Sequence, residues 1–118
     1  MVLWPDKDPE FCHVPGDEGA LHFGVFIESM LVCVASVYPS KKNARLRKFA
    51  TLKEFQGRGI GTKLLNYIFE SLNENRNIKF WCDARESAVE FYERFGMSKE
   101  GGKFYKYNIP YYKMSKMI

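Results

Sequence analysis

Two short apolar stretches in the first third of the chain have the composition of β-strands. Residues 20–27 and 31–38 are rich in β-branched and aromatic side chains, and three residues separate them, so they predict a β-hairpin. Alternating side chains over residues 45–52 predict a third strand. Residues 1–19 contain three prolines and two glycines, and they predict an irregular lead-in.

The clearest pattern in the chain is a helical one that begins at residue 60. Apolar side chains recur there at helical spacing, namely Ile60, Leu64, Leu65, Ile68, Phe69 and Leu72. A short strand is predicted over residues 78–82. Asp83 with Glu86 three positions later is typical of a capping box, so a second helix is expected from there to Gly96, a typical helix-ending residue.

Residues 103–107 and 111–117 predict two further strands, both aromatic. The expected order is therefore β-β-β-α-β-α-β-β. This order, in a chain of 118 residues, indicates one α/β (α+β) domain over residues 1–118.

Composition and charge narrow the class of protein. Apolar and aromatic residues make up 46% of the chain and charged residues 27%, which is typical of a folded globular protein. The net charge of +4 is unevenly spread, because residues 1–28 hold six acids and one base while the other ninety hold 17 bases and eight acids. The body of the chain is therefore expected to attract anions.

Compartment and metal content are also constrained by the sequence. No apolar run reaches the roughly 18 residues of a membrane span, and the N-terminus lacks a secretory core. Cys12, Cys33 and Cys82 show no metal-ligand spacing. We expect a cytoplasmic protein with free thiols and no metal.

A glycine-rich loop precedes the first predicted helix. Gly57, Gly59 and Gly61 allow tight turns and close backbone approach, and the N-terminus of the helix behind them favours anions. Arg58 and Lys63 add positive charge. The order Gly-Thr-Lys excludes a Walker loop, and the G-x-G-x-G spacing departs from the dinucleotide fingerprint. The expected ligand is a phosphate or a diphosphate.

The residues around this loop resemble motif A of the GNAT superfamily of acetyl-CoA-dependent acetyltransferases. The similar segment runs from residue 49 to residue 65 and contains Gln-Gly-Arg-Gly-Ile-Gly-Thr at 56–62. Residues 88–97, Ala-Val-Glu-Phe-Tyr-Glu-Arg-Phe-Gly-Met, resemble motif B of the same family. The resemblance extends over residues 20–117.

The resemblance implies a mixed, largely antiparallel sheet with a V-shaped splay between its central strands and helices on both faces. It also implies that acetyl-CoA is the co-substrate. The backbone N–H and C=O groups of Phe49, Ala50 and Thr51 would pair with the amides of its pantetheine arm. A backbone amide near Thr51 would stabilise the oxyanion that forms from the thioester oxygen. The diphosphate would be held by the loop residues Gln56, Gly57, Arg58, Gly59, Ile60, Gly61 and Thr62.

Motif B also supplies the expected catalytic residue. Tyr92 matches the family tyrosine near the sulfur, and it would protonate the departing thiolate; the alternative is that it is one more buried aromatic of the helix. His22, Glu54 and Asp83 are open candidates for the general base. The sequence departs from the motif at Arg85, where the family often has an asparagine that contacts pantetheine.

A second departure concerns the acceptor side. The first predicted strand begins at residue 20, so the helical wall that the family places before it is expected to be reduced, and the acceptor pocket is expected to be either open or completed by a second copy of the chain. Five aromatic residues within 104–112 support a homodimer. The acidic lead-in favours a cationic acceptor.

The expected function is acetyl transfer from acetyl-CoA to a primary amine, in a small molecule or a peptide, by direct attack in a ternary complex. One alternative is a CoA-binding regulatory module without turnover. Another, less favoured, is a nucleic-acid-binding protein, which rests on five bases within residues 41–48. No aromatic stacking residue is interleaved with those bases.

Overall fold

A computed structural model describes residues 9–16, 19–72 and 77–118. These residues form seven strands and two α-helices, with 3₁₀ turns at Lys53–Phe55 and Glu86–Ala88. In chain order the elements are β1 (Glu10–Pro15), β2 (Leu21–Ile27), β3 (Met30–Ser40), β4 (Asn43–Thr51), α1 (Ile60–Leu72), β5 (Lys79–Arg85), α2 (Val89–Glu93), β6 (Ser98–Lys106) and β7 (Ile109–Met117).

The strands form one mixed, mostly antiparallel sheet in the order β1-β2-β3-β4-β5-β7-β6. The parallel neighbours are β4 and β5, which α1 connects as a crossover helix. This α+β architecture confirms the fold class expected from the sequence. No helix in the described ranges is long and apolar enough to cross a membrane.

Two local predictions were wrong. Residues 10–15 belong to β1, which pairs antiparallel with β2, so the lead-in is not irregular there; residues 1–8, 17 and 18 lie outside the described residues. Asp83 does not cap a helix, because β5 continues to Arg85. Its carboxylate instead contacts the guanidinium of Arg45 at 2.9 Å and the ammonium of Lys106 at 3.0 Å.

Both α-helices pack on the same face of the sheet. The ring of Phe69 in α1 lies 4.9 Å from that of Phe80 in β5, and Tyr92 in α2 lies beside Cys82 of the same strand. Phe80 and Cys82 are two positions apart and so point to one side of the sheet. Successive right-handed crossovers in one direction along a sheet place their helices on one face. In the described residues this differs from the expectation of helices on both faces.

A single apolar cluster joins the helices to the sheet. Leu64, Leu65 and Ile68 of α1 are fully buried and pack with core residues from β2, β3, β4 and β5. Their spacing of one, three and four places them on one stripe of the helix. This stripe fixes the start of α1 against the sheet, and with it the loop that precedes the helix.

The sheet opens between its two central strands. β4 and β5 pair only over Asn43–Arg45 and Lys79–Trp81, although each strand continues for several residues. The carboxyl-terminal half of β4 therefore has no strand on its β5 side within the described chain. This opening is the splay that the sequence resemblance implies.

Candidate active site

The splay leads into a cavity of about 830 Å³. It is bounded by the end of β4, the glycine-rich loop, the first turn of α1, the end of β5 and α2. The lining residues are Phe49, Ala50, Thr51, Phe55, Gln56, Gly57, Gly59, Ile60, Gly61, Thr62, Arg85, Ser87, Ala88, Phe91, Tyr92 and Arg94. Its volume falls within the range of ordinary ligand pockets, roughly 300–1,000 Å³.

A β-bulge shapes the wall of the cavity that β4 contributes. The β3–β4 register changes between Val34 and Ser36, which pair with Ala50 and Arg47, so β4 contains one extra residue. Lys48 within the bulge has a φ of 55°, a left-handed conformation that is uncommon for a side chain of this kind. Bulges of this type occur next to active sites because they redirect backbone groups.

The glycines of the loop have two different structural roles. Gly57 and Gly59 have φ values of 75° and 77°, and a Cβ at either position would meet nothing within 4 Å. Their backbone conformation therefore requires glycine, and it leaves the space above the loop open. At Gly61 a Cβ would lie 3.3 Å from Cζ of Phe49, so this glycine allows α1 to pack closely against β4.

The first turn of α1 directs unpaired amides toward the cavity. The amide of Lys63 is the first intrahelical donor, to the carbonyl of Gly59 at 3.0 Å, so the amides of Ile60, Gly61 and Thr62 before it have no acceptor within the helix. The first turn carries no acidic residue. These amides, together with the positive end of the helix dipole, form a site for an anion.

Gln56 ties the loop to the end of β4. Its Nε2 donates to the carbonyl oxygen of Thr51 at 3.1 Å. The side-chain oxygen of Thr51 is 3.2 Å from the sulfur of Cys33 in β3, and burial raises the pKa of that thiol. The strand end and the anion site are thus held in a fixed relation to each other.

Tyr92 reaches the cavity from α2 and is almost buried, with 8% of its surface exposed. Its side chain lies beside the thiol of Cys82. Burial and the neighbouring Cys82 raise the pKa of Tyr92 well above its usual 10.0. The side chain therefore stays protonated at neutral pH and can donate a hydrogen bond to a charge that develops beside it.

The structure brings the predicted site residues together around one cavity, with a single exception. Arg58 is absent from the lining; its guanidinium lies 5.5 Å from the ring centre of Phe55. The end of β5 and α2 also bring to this cavity Ser87 and Arg94, which were not among the predicted site residues, and Arg85, the position at which the sequence departs from motif B. The start of motif B pointed to this wall, but the cavity itself depends on the splay.

None of the three candidate bases lies in the lining of the cavity. Nδ1 of His22 is 2.8 Å from the hydroxyl of Ser36, and Asp83 is engaged by Arg45 and Lys106. Glu54 lies exposed in the 3₁₀ turn. Within the described ranges, no three His, Cys, Asp or Glu side chains form a group that could hold a metal ion.

Comparison with known proteins identifies the family. The sequence profile described as "Acetyltransferase (GNAT) domain" matches residues 11–118. The chain is 30% identical over 112 residues to the "Uncharacterized N-acetyltransferase YitI" of Bacillus subtilis (strain 168), covering 87% of this chain and 75% of that protein.

Two solved structures show the same fold. A putative N-acetyltransferase from Lactobacillus plantarum matches with a TM-score of 0.77 at 19% identity, over 83% of this chain and 68% of that one. Arabidopsis thaliana Naa50, in complex with the bisubstrate analogue CoA-Ac-MVNAL, matches with a TM-score of 0.72 at 21% identity, over 82% and 72% of the two chains. The chain belongs to the GNAT family of acetyl-CoA-dependent N-acetyltransferases.

Proposed function

We propose that this chain transfers the acetyl group of acetyl-CoA to a primary amine, in a small molecule or a peptide, by direct attack in a ternary complex. The observation that carries the proposal is the single cavity that joins the free amides of α1 to the splayed end of β4. Acetyl-CoA carries a diphosphate, which the start of the helix would hold, and a thioester, which would lie at the end of the strand.

The loop and the helix start would hold the diphosphate. Gln56, Gly57, Gly59, Ile60, Gly61 and Thr62 line that part of the cavity, and Arg58 adds positive charge beside it. The open space above Gly57 and Gly59 suits a ligand that approaches the backbone closely. Acidic side chains, which would repel phosphate, are absent from the first turn of α1.

The end of β4 would hold the pantetheine arm. Phe49, Ala50 and Thr51 line the cavity on the edge of β4 that β5 leaves open. Backbone groups on such an edge can pair with an extended amide chain as they would with another strand. The bulge at Lys48 would redirect a backbone amide of β4 toward the thioester oxygen. This amide would stabilise the negative charge that develops on that oxygen.

In the proposed reaction the amine nitrogen of the acceptor attacks the thioester carbonyl carbon. A C–N bond forms, the C–S bond breaks, and the electron pair of that bond leaves with sulfur. Tyr92 is the proposed acid that faces the departing thiolate. Since its pKa is raised, its main contribution is a hydrogen bond that strengthens as the sulfur becomes negative. The proton lost by the attacking amine then restores the neutral thiol.

The alternative is a CoA-binding regulatory module without turnover, and one observation favours it: the side chain of Tyr92 is nearly buried and packs beside Cys82 in the core. Calorimetry with acetyl-CoA and thiol release with a panel of amines separate the two functions. Binding together with release supports the transferase, whereas binding without release supports the module. A salt-dependent shift with an oligonucleotide would instead indicate nucleic-acid binding.

Two further features are part of the proposal. A homodimer is supported by Tyr105 and Tyr107, which are 63% and 98% exposed, since exposed aromatic side chains are enriched at interfaces. A cytoplasmic location is supported by the three free cysteines, because a reducing compartment keeps thiols unpaired.

A further inference from the structure

The sheet surface opposite the helices carries an excess of positive charge. We name it the basic face and define it by side chains that the strand register places on one side of β4, β5, β6 and β7. Its six cations and two acids are Arg45, Arg47, Lys79, Arg85, Lys106, Lys113, Asp83 and Glu100.

The two acids of the basic face are already paired. Asp83 contacts both Arg45 and Lys106, and Glu100 contacts Lys79 at 2.8 Å. Among the described residues, Arg47, Arg85 and Lys113 have no carboxylate within ion-pair distance. Like charges gathered on one surface repel each other, so this face has the electrostatic character of a site for an anion.

Two further contacts fix the cations in place. The guanidinium of Arg45 and the ammonium of Lys113 each lie 4.6 Å from the ring centre of Trp81, reaching it from the two strands that flank β5. Nε of Arg45 is shielded from solvent and has no hydrogen-bond acceptor among the described residues. The ring of Trp81 therefore holds the cations of Arg45 and Lys113, and Nε of Arg45 still lacks a hydrogen-bond acceptor.

The basic face meets the cavity at Arg85. This residue lines the cavity. It also points to the same side of β5 as Asp83 and Trp81, which lie two and four positions before it, so it belongs to both surfaces. A strand rises about 3.3 Å per residue, which places the level of Asp83 and Lys113 roughly 7 Å from that of Arg85. A group bound on this face is thus within a few bond lengths of a molecule that occupies the cavity.

From these contacts we propose that the acceptor is an amine that also carries an anionic group, a carboxylate or a phosphate, and that the basic face holds this group while the amine enters the cavity at Arg85. This inference rests on the proposed acetyl transfer and names its substrate class. It differs from the cationic acceptor favoured by the acidic lead-in, most of whose acids lie outside the described residues. The basic face adjoins the cavity, so its charge is a more direct guide to the acceptor than the charge of the lead-in.

The test compares amines that differ only in their anionic group. Phenylalanine is paired with phenethylamine, and phosphoethanolamine with ethanolamine, and kcat/KM is measured by thiol release. The anionic member of at least one pair should be favoured by about tenfold or more, the effect of one charge-assisted hydrogen bond. The pair that shows the preference distinguishes carboxylate from phosphate. Equal values in both pairs, or a preference for the uncharged members, would overturn the inference.

Substitutions locate the effect. In Arg85→Gln and Lys113→Gln the ratio of the two kcat/KM values should fall severalfold, and added salt should lower it in the wild type. Lys42→Gln, in the exposed β3–β4 turn, is the control that should leave the ratio unchanged. A ratio that both Arg85→Gln and Lys113→Gln leave unchanged would contradict the inference.

A binding measurement keeps this inference separate from the reaction itself. Calorimetry on the CoA-loaded protein compares N-acetylphenylalanine with N-acetylphenethylamine and N-acetylphosphoethanolamine with N-acetylethanolamine, and the anionic member of at least one pair should bind more tightly. Absence of turnover with every amine would overturn the transferase function alone. Equal binding within both pairs, or binding of none of the four compounds, would overturn the anionic acceptor.

Discussion

The side chain of Tyr92 in α2 lies beside the thiol of Cys82 in β5. Both side chains are buried, with exposed fractions of 8% and 3%, and Tyr92 also borders the cavity. This contact places the phenol between the core and the proposed position of the CoA sulfur. The sheet itself thus holds the proposed acid in place, since Cys82 is a central strand residue.

The Tyr92→Phe variant tests the role of the hydroxyl. The phenylalanine keeps the ring packing and removes only the donor, so kcat should fall by about 10²-fold or more. The affinity for acetyl-CoA should change by no more than a few-fold. Steady-state thiol release and calorimetry measure the two quantities separately.

The matched control is Tyr67→Phe. The hydroxyl of Tyr67 is 2.9 Å from Nδ1 of His13, and Tyr67 does not line the cavity. This variant should keep the wild-type kcat. If Tyr92→Phe also keeps it, then Tyr92 is a core residue and the proposed acid is wrong.

Burial of Cys82 predicts a dependence of stability on alkaline pH. Burial raises the pKa of this thiol from 9.0 to about 12, although Tyr92 lowers it in part. Between these values the unfolded chain ionises while the folded chain keeps the proton. Stability from this group is therefore present below pH 9 and is lost as pH rises toward 12, by at most about 1.4 kcal/mol per pH unit.

Urea unfolding at a series of pH values measures this loss. In Cys82→Ala the decline of the free energy of unfolding above pH 9 should be shallower than in the wild type. Cys12→Ala is the control, because Cys12 is exposed and its removal should leave the slope unchanged. The same slope in all three proteins would show that Cys82 does not cause the decline.

A pair of glycines separates backbone strain from ligand binding. Gly59 in the loop and Gly101 in β6 have φ values of 77° and 76°, and a Cβ at either would meet nothing within 4 Å. Gly59→Val and Gly101→Val should therefore carry similar conformational costs, of about 1–2 kcal/mol. Only Gly59→Val should also weaken acetyl-CoA binding, by about 2 kcal/mol or more if phosphate hydrogen bonds are lost.

Calorimetry on the folded variants gives the affinities. A loss confined to Gly59→Val would support the diphosphate site at the loop. If both variants bind acetyl-CoA as the wild type does, the assignment of the loop fails. Gly101 is a suitable control because it lies in β6 near a change of register and does not line the cavity.

Much of the fold and the loop of the site could be predicted from local patterns. The period of apolar residues from Ile60 to Leu72 coincides with α1, and Gly57 and Gly59 have the positive φ values that a glycine-rich turn suggests. These features depend on near neighbours in the chain. The sequence therefore contains the information for them directly.

Features that depend on tertiary packing were not predictable in this way. The strand β1 is stabilised by pairing with β2. This pairing outweighs the local preference for a turn that the prolines at both ends of β1 indicate. Asp83 resembles a helix cap, but Arg45 and Lys106 from other strands engage it. The bulge at Lys48 arises from the register of β3 and β4, which leaves no local signal. Motif B pointed to the wall at Arg85, but the cavity itself depends on the splay.

The oligomeric state can be tested at the β6–β7 turn. Tyr107 is 98% exposed and Tyr105 63%, and we expect a dimer that buries them. Sedimentation at micromolar concentration should give a species of twice the 13.8 kDa chain mass, and Tyr105→Ser with Tyr107→Ser should convert it to monomer. An active wild-type species of 13.8 kDa would show that one chain completes its own site.

We infer that one cavity binds acetyl-CoA along the glycine loop and presents its thioester at the end of β4. A crystal structure of the protein with CoA tests this directly. The diphosphate should lie on the amides between Gly57 and Thr62, and the sulfur should lie near Thr51 and Tyr92. A CoA molecule bound elsewhere, or a sulfur atom that faces neither residue, would contradict it.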